Sequence, residues 1–271
     1  MGVITLVCVL VGQFALSTIG LVFGFAFGVV LNGAMYFGAG ALILKQMGTT
    51  LPIDGELDEV TSFVKDIATK ATITTPDIRI AADAQPNIFT VGYDASHATI
   101  VITRGLVELM SNEELKNIIA PQIGTIQRGD IGAPSYIALL MGILTGFGRV
   151  PRKQMKQENT LLLNPGNNFS SLIRLITMPM AVAFLRWTVE PQKKYLQDFL
   201  GASLTREPKV LANAYRKAEI TIEQNVPLLH NYIGYIHLYA LCPTTESEGN
   251  DLYQSHPKMI DRIMKLEGMT V

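Results

Sequence analysis

The chain opens on an uncharged, mainly apolar run: residues 1–44 contain no Asp, Glu, Lys, Arg or His, and Lys45 is the first charge. A membrane-spanning helix needs about 20 apolar residues, so the run predicts two spans joined by a tight turn around Ser17 to Gly20. A cleavable signal peptide fits poorly, because no basic segment precedes the run and its length is about twice what such a signal uses. Gly20, Gly24 and Gly28 recur every fourth residue, which lines small side chains on one helix face and lets another helix approach closely in lipid. Spacing leaves open whether that second helix belongs to this chain or to a partner.

Beyond Lys45 the pattern turns amphipathic. Leu57, Val60, Val64 and Ile67 fall at helical spacing with Asp58, Glu59, Lys65 and Asp66 between them, which predicts a helix over residues 56–70, ahead of Pro76. Asp77 to Ala82 and Ala98 to Thr103 are short, β-branched and roughly alternating, with turn residues from Asp83 to Asn87 between them. They predict a small strand pair or meander. Ser111-Asn112-Glu113-Glu114 forms a capping box opening a helix through Leu115, Ile118 and Ile119. Pro121 inside that helix predicts a kink or break between Ile119 and Gln122.

Ile131 to Gly148 is again uncharged, bounded by Asp130 and by Arg149, Arg152, Lys153 and Lys156, and reads as a third span. Phe169 to Trp187 is apolar but carries Arg174 and Arg186. An Arg at mid-bilayer costs about 2.5–3.5 kcal/mol, so this stretch is read as membrane-associated, crossing or lying in plane. The chain then divides into a hairpin over residues 1–45, the first part of a soluble domain over 46–130, spanning or associated segments over 131–188, and a second, helical part over 189–271.

Composition narrows the function classes. At 48% hydrophobic and 17% charged the chain is too apolar for an ordinary soluble enzyme, and 22 basic against 23 acidic residues leave no basic footprint for nucleic acid. Cys8 and Cys242 are too few and too far apart for a disulfide framework or a cysteine metal site. Among four histidines, His230 and His237 stand seven apart and could share a helix face with Glu223, but their apolar, aromatic surroundings favour a packed or interface helix. His97 in a turn and His256 before Pro257 read as local hydrogen-bonding residues. No small-molecule site is evident.

Several segments, in order, resemble the HtpX family of membrane zinc metallopeptidases. They are the N-terminal hydrophobic hairpin, Pro76-Asp77-Ile78-Arg79-Ile80, the strand Gln85-Pro86-Asn87-Ile88-Phe89-Thr90-Val91-Gly92, Ile102-Thr103-Arg104-Gly105-Leu106 with the capped helix, and Ser255-His256-Pro257 followed by Asp261-Arg262-Ile263. The resemblance implies an α+β fold, mainly helical, with a small β-sheet and an N-terminal transmembrane helical hairpin. It also implies a zinc site built on His-Glu-x-x-His, where two His at i and i+4 bind metal and the Glu acts as base.

In that register the chain has Pro121 and Thr125 at the ligand positions and Gln122 at the base. The third ligand, a Glu in the family, falls on Lys194, with Asp198 four residues on. None of these is a donor that zinc selects. The expectation from the sequence is therefore a chain that is not an enzyme and has no cofactor, a pseudopeptidase acting as a structural or regulatory subunit of a membrane-protein complex. Two rivals are a chaperone-like quality-control factor and an active zinc endopeptidase with relocated ligands. The expected binding surfaces are the strand residues Asn87, Phe89 and Gly92, the glycine face of Gly20, Gly24 and Gly28, and an aromatic stripe of Tyr232, Tyr235 and Tyr239. The expected partners are membrane proteins and the bilayer. The expected location is a bacterial cytoplasmic membrane, with the domain on the cytoplasmic side.

Overall fold

The apolar run folds back on itself. In the computed structural model, which describes residues 1–145, 190–224, 233–243 and 256–270, helix α1 (Gly2–Gln46) is broken at Leu16 and Ser17, Ser17 adopting φ 56°. The two arms run antiparallel. A Cβ added to Gly20 would lie 1.8 Å from the Gly12 carbonyl oxygen, one on Gly24 2.3 Å from that of Cys8, and one on Gly28 2.9 Å from the Thr5 Cα. The glycine face thus serves packing within the hairpin, where only a missing side chain lets the backbones meet. Asn32 of the second arm locks the pairing, donating to Thr5 Oγ1 (3.1 Å) and to the Gly28 carbonyl (2.7 Å).

Outside that seam the hairpin is an exposed apolar surface. Phe14 is 96% exposed, and Val3, Ile19, Val22, Phe23, Phe27 and Val30 are also in the open. The helix is long and apolar enough to cross a membrane, and lipid is the solvent in which such a surface is stable. The lower second arm leaves this environment and enters the domain: Ala39, Ile43 and Met47 are fully buried, and a Cβ on Gly40 would sit 3.2 Å from Gly92.

The domain is built around three strands, β1 (Asp77–Ala81), β2 (Ile88–Val91) and β3 (Thr99–Thr103). Their order is β1-β3-β2, with β3 parallel to β1 and antiparallel to β2. Of the two arrangements expected from those segments, the strand pair is formed and the meander is not. The two strands foreseen pair in parallel, and β2, which lies between them in sequence, flanks β3 from the other side. The turn composition marked where the chain leaves β1 without fixing which edge it rejoins. Alternation puts Ile78, Ile80, Ile88, Ile100 and Ile102 on one face and Phe89, Val91 and Val101 on the other, and both faces are covered. A strand buried on both sides reads as continuously apolar, as the centre of β3, Ile100 to Ile102, does.

On the first face lie α2 (Asp58–Lys70), α3 (Arg104–Leu109), α4 (Asn112–Gln127), α6 (Lys193–Thr205), α7 (Pro208–Glu223) and α8 (Met259–Glu267). On the second lie the end of α1, α5 (Gly132–Thr145) and a 3-10 turn (Ile233–Leu238). The periodicity of α2 holds, with Val60, Val64 and Ile67 buried. The capping box is formed: Ser111 Oγ accepts from the Glu114 amide (3.3 Å) and Glu114 Oε2 from the Ser111 amide (2.8 Å).

Pro121 does not break α4. The helix runs from Asn112 through Pro121 to Gln127, correcting the expected interruption. Its ring is clamped by α6: a Cβ on Gly201 would lie 2.4 Å from Pro121 Cδ. Tertiary packing on a glycine offsets the lost backbone bond, which in an isolated helix costs about 3 kcal/mol. Of the third expected span, α5 is described as far as Thr145, with Tyr136, Ala138, Leu139 and Met141 buried. Residues 146–148 and the stretch Phe169 to Trp187 lie outside the described residues.

Candidate functional site

Helices α4 and α6 run antiparallel across the domain: Asn117 Nδ2 donates to Glu207 Oε2 (2.8 Å), Pro121 meets Gly201, and Gly124 faces Leu200. The pairing packs α4, which carries Pro121, Gln122 and Thr125, against α6, which carries Lys194, and each of these four is committed within the protein. Thr125 Oγ1 donates to the Pro121 carbonyl (2.9 Å). Gln122 Oε1 accepts from Thr90 Oγ1 of β2 (2.9 Å). Lys194 Nζ donates to the Tyr239 carbonyl (2.7 Å). A zinc ion does not fit this set: Pro121 offers no lone pair, the Thr125 hydroxyl is bonded to its own helix, and Lys194 presents N–H donors. Among the described residues no other group of three His, Cys, Asp or Glu side chains could hold a metal ion.

Lys194 is buried at 7% exposure. A solvated lysine is the usual expectation for this residue type. Burial, and the Arg262 charge after it, lower its pKa to about 7, against the opposing pull of Asp198. His256 Nε2 lies 2.6 Å from the same Tyr239 oxygen. Burial and the Lys194 charge hold the ring well below the usual histidine range, so it is neutral near pH 7 and its Nε2 carries the proton to meet a carbonyl.

Beside this pair sits a closed polar cluster. Arg262 Nε and Nη2 donate to the two Asp198 oxygens (both 2.7 Å), and Nη1 donates to the Ala240 carbonyl (2.6 Å). Tyr215 donates to Asp198 Oδ1 (2.7 Å) and accepts from Arg262 Nη2 (3.0 Å). Burial would lower the Arg262 pKa, but the facing Asp198 carboxylate raises it. Burial, with the same carboxylate, pushes the Tyr215 phenol well up. This cluster is the part of the site that sequence reasoning missed. Its signal was the Asp198 position together with Arg262 in the C-terminal segment.

The expected binding residues are placed as follows. Asn87 and Phe89 are fully buried, and the Gly92 amide donates to Ser135 Oγ (3.1 Å). Tyr235 and Tyr239 are fully buried too, Tyr235 donating to Gln46 and Tyr239 packing edge-on against Phe89 at 5.4 Å. An exposed stripe would need an α-helix here, whereas this segment is a 3-10 turn seated on α5. Tyr232 and His230 lie outside the described residues, and His237 Nε2 is 3.0 Å from the Pro134 carbonyl. Cys8 and Cys242 are not joined in a disulfide, and His97 Nδ1 lies 2.8 Å from Asp94 Oδ1, which also accepts from the His97 amide (2.9 Å).

Fold and site together define a membrane-anchored α+β domain whose centre is an antiparallel helix pair set against an edge strand. The profile described as Peptidase family M48 matches residues 56–270, and the chain belongs to that family. It is similar to relatives named Protease HtpX homolog. That of Dictyoglomus turgidum is 28% identical over 267 residues, covering 96% of this chain and 85% of the relative. That of Dictyoglomus thermophilum is 29% identical over 273 residues, covering 97% and 87%. That of Salinibacter ruber is 26% identical over 271 residues, covering 99% and 95%. A crystal structure of S. mikatae Ste24p aligns at a TM-score of 0.44 and 15% identity, covering 98% of this chain and 63% of that one.

The family match and the relatives' names correct the expectation that the chain is not an enzyme: they point to a protease. Side-chain chemistry at four positions was the basis of that expectation, and membership extends over most of the chain. The mismatch between those positions and zinc remains a property of the site.

Proposed function

We propose that this M48 family member acts as a structural or regulatory subunit of a membrane-protein complex, engaging a partner polypeptide beside the bilayer. Its domain faces the cytoplasm from a bacterial cytoplasmic membrane. The observation that carries this reading is the bonding of Gln122, Thr125 and Lys194 to strand, helix and main-chain groups of the same domain. With Pro121 seated on Gly201, the four positions tie α4, β2 and α6 into one frame. A rigid frame behind an edge strand suits recognition of extended polypeptide, since a strand edge offers main-chain groups to another chain. The relatives' name, protease, supports polypeptide as the kind of molecule handled.

Purification of the tagged chain in mild detergent, followed by mass spectrometry, tests the reading. A membrane protein retained at constant stoichiometry is the expected result. A chain that runs alone overturns it, and if that lone chain also cuts unfolded protein in a chelator-sensitive manner, peptidase activity suffices to explain it.

A further inference from the structure

We propose that the turn between β2 and β3, Tyr93 to His97, lies in the headgroup layer of the bilayer beside Tyr36 and Phe37, so that the domain docks on the phospholipid surface instead of hanging from its helical tether alone. This surface is independent of the subunit role, since what it meets is lipid.

The length of α1 sets the depth. Its two arms turn at Leu16 and Ser17. Phe37 stands 20 residues beyond Ser17, a rise of about 30 Å at ~1.5 Å per residue, which matches the thickness of the hydrocarbon core. With the turn at one face of that core, Tyr36 and Phe37 arrive at the other. The neighbours of the second arm change over the same stretch: Gly28 packs on Thr5 of the first arm, the Tyr36 hydroxyl donates to the Tyr93 carbonyl (3.1 Å), and Gly40 lies against Gly92. Hairpin thus gives way to domain around Tyr36.

The side chains at this level continue the lipid face and close it. Phe23, Phe27, Val30 and Phe37 follow at helical spacing along one side of the second arm, each more than half exposed, so Phe37 is the domain-side end of an apolar stripe for which lipid is the stable solvent. The domain meets it there. Phe37 stands edge-on to Tyr36 (5.5 Å) and to Tyr93 (5.2 Å), and the Tyr93 ring stacks on His97 at 4.3 Å. Rings that carry a polar atom favour the headgroup layer, with the apolar body toward the acyl chains and the hydroxyl or ring nitrogen toward water. The turn also settles its own main chain: Asp94 Oδ1 accepts from the Ser96 and His97 amides (both 2.9 Å), which lowers the cost of bringing it up to lipid.

The test uses the full chain in phosphatidylcholine nanodiscs, with Trp187→Phe and one new tryptophan from Tyr93→Trp. Lipid carrying a nitroxide on its headgroup should quench that tryptophan at least about twofold more than lipid labelled at mid-chain, because the ring sits at headgroup level. A tryptophan placed instead by Asn112→Trp, at the end of α4 away from α5, should be quenched by neither. Quenching at position 93 no greater than at 112 overturns the proposal and leaves the domain on its tether. Stronger quenching by the mid-chain label overturns it too, by placing the turn in hydrocarbon. A measurement on the wild-type chain needs no variant to fold: a phospholipid with a photoreactive headgroup should label residues 93–97 as well as α1. Labelling of α1 with none in 93–97 overturns the proposal. The subunit role is read separately, by co-purification, and stands or falls without this surface.

Discussion

The two ends of the α6 contact make a contrast. Around Asp198 every charge is answered: Arg262 and Tyr215 close a cluster in which carboxylate, guanidinium and phenol bond one another. One turn earlier, Lys194 is equally buried but meets only a main-chain oxygen, which it shares with His256. The first arrangement holds both of its charges in place. The second holds groups whose charge burial disfavours: Lys194 is lowered to about 7, and His256 is held well below the usual histidine range. Neighbouring positions on one helix thus do different work, the first fixing the fold and the second gripping a stretch of chain.

Asp198→Ala breaks the contrast most sharply. It strands Arg262 in the interior, and removing one partner of a buried pair costs about 3–5 kcal/mol; chemical denaturation in detergent should read a loss of that size. Lys194→Met, which leaves no unpaired charge, should cost far less, and an equal loss would show that the two ends do the same work.

Next in size is the close approach that lets α4 carry Pro121. Gly201→Val places side-chain carbon in the space of the Pro121 ring. It should destabilise the domain by about 1–3 kcal/mol, the usual cost of overpacking, and pairing it with Pro121→Ala should recover part of the loss. No recovery would mean the ring is not what the glycine accommodates.

Stability should also follow pH with a determined sign. His256 binds a proton more weakly folded than unfolded, so the unfolded chain gains protons as pH falls below about 6.5 and the fold loses stability there. Lys194 titrates at about 7 in the fold against 10.5 unfolded, so stability rises with pH across that window. Lys194, Arg262 and His237 are the groups whose charges bear on His256. Melting temperature should therefore climb from pH 5.5 to pH 9, with His256→Gln flattening the acid limb and Lys194→Met the upper one. A fall over that range would refute both assignments.

The smallest effect expected is that of metal. Ligand binding raises stability only through sites that prefer the folded state, and Pro121, Thr125 and Lys194 present no zinc donor. Added zinc and added chelator should leave the melting temperature unchanged, and a shift of several degrees would reveal a donor set elsewhere in the chain.

Much of the local structure was legible from residue order because its causes are local. The capping box at Ser111 to Glu114, the buried stripe of α2 and the hairpin all follow from side chains within a few turns of each other. The glycine face was legible as a packing surface, and the tertiary structure decided that residues 5–12 of the same chain are what packs there. Strand order was not legible, because alternation tells which face a residue takes and says nothing of which neighbour it bonds.

The site divides in the same way. Which residues stand at positions 121, 122, 125 and 194 is a matter of sequence, and so is their unsuitability as zinc donors. Tertiary structure alone decided that Lys194 is buried, that Pro121 is tolerated because Gly201 has no side chain, and that Asn87, Lys194, His256 and Arg262 converge on residues 239–241. Periodicity carries the contacts that recur within a helix or strand. A bond between residues more than 150 positions apart, such as Asn87 to Leu241, exists only after every intervening element has packed.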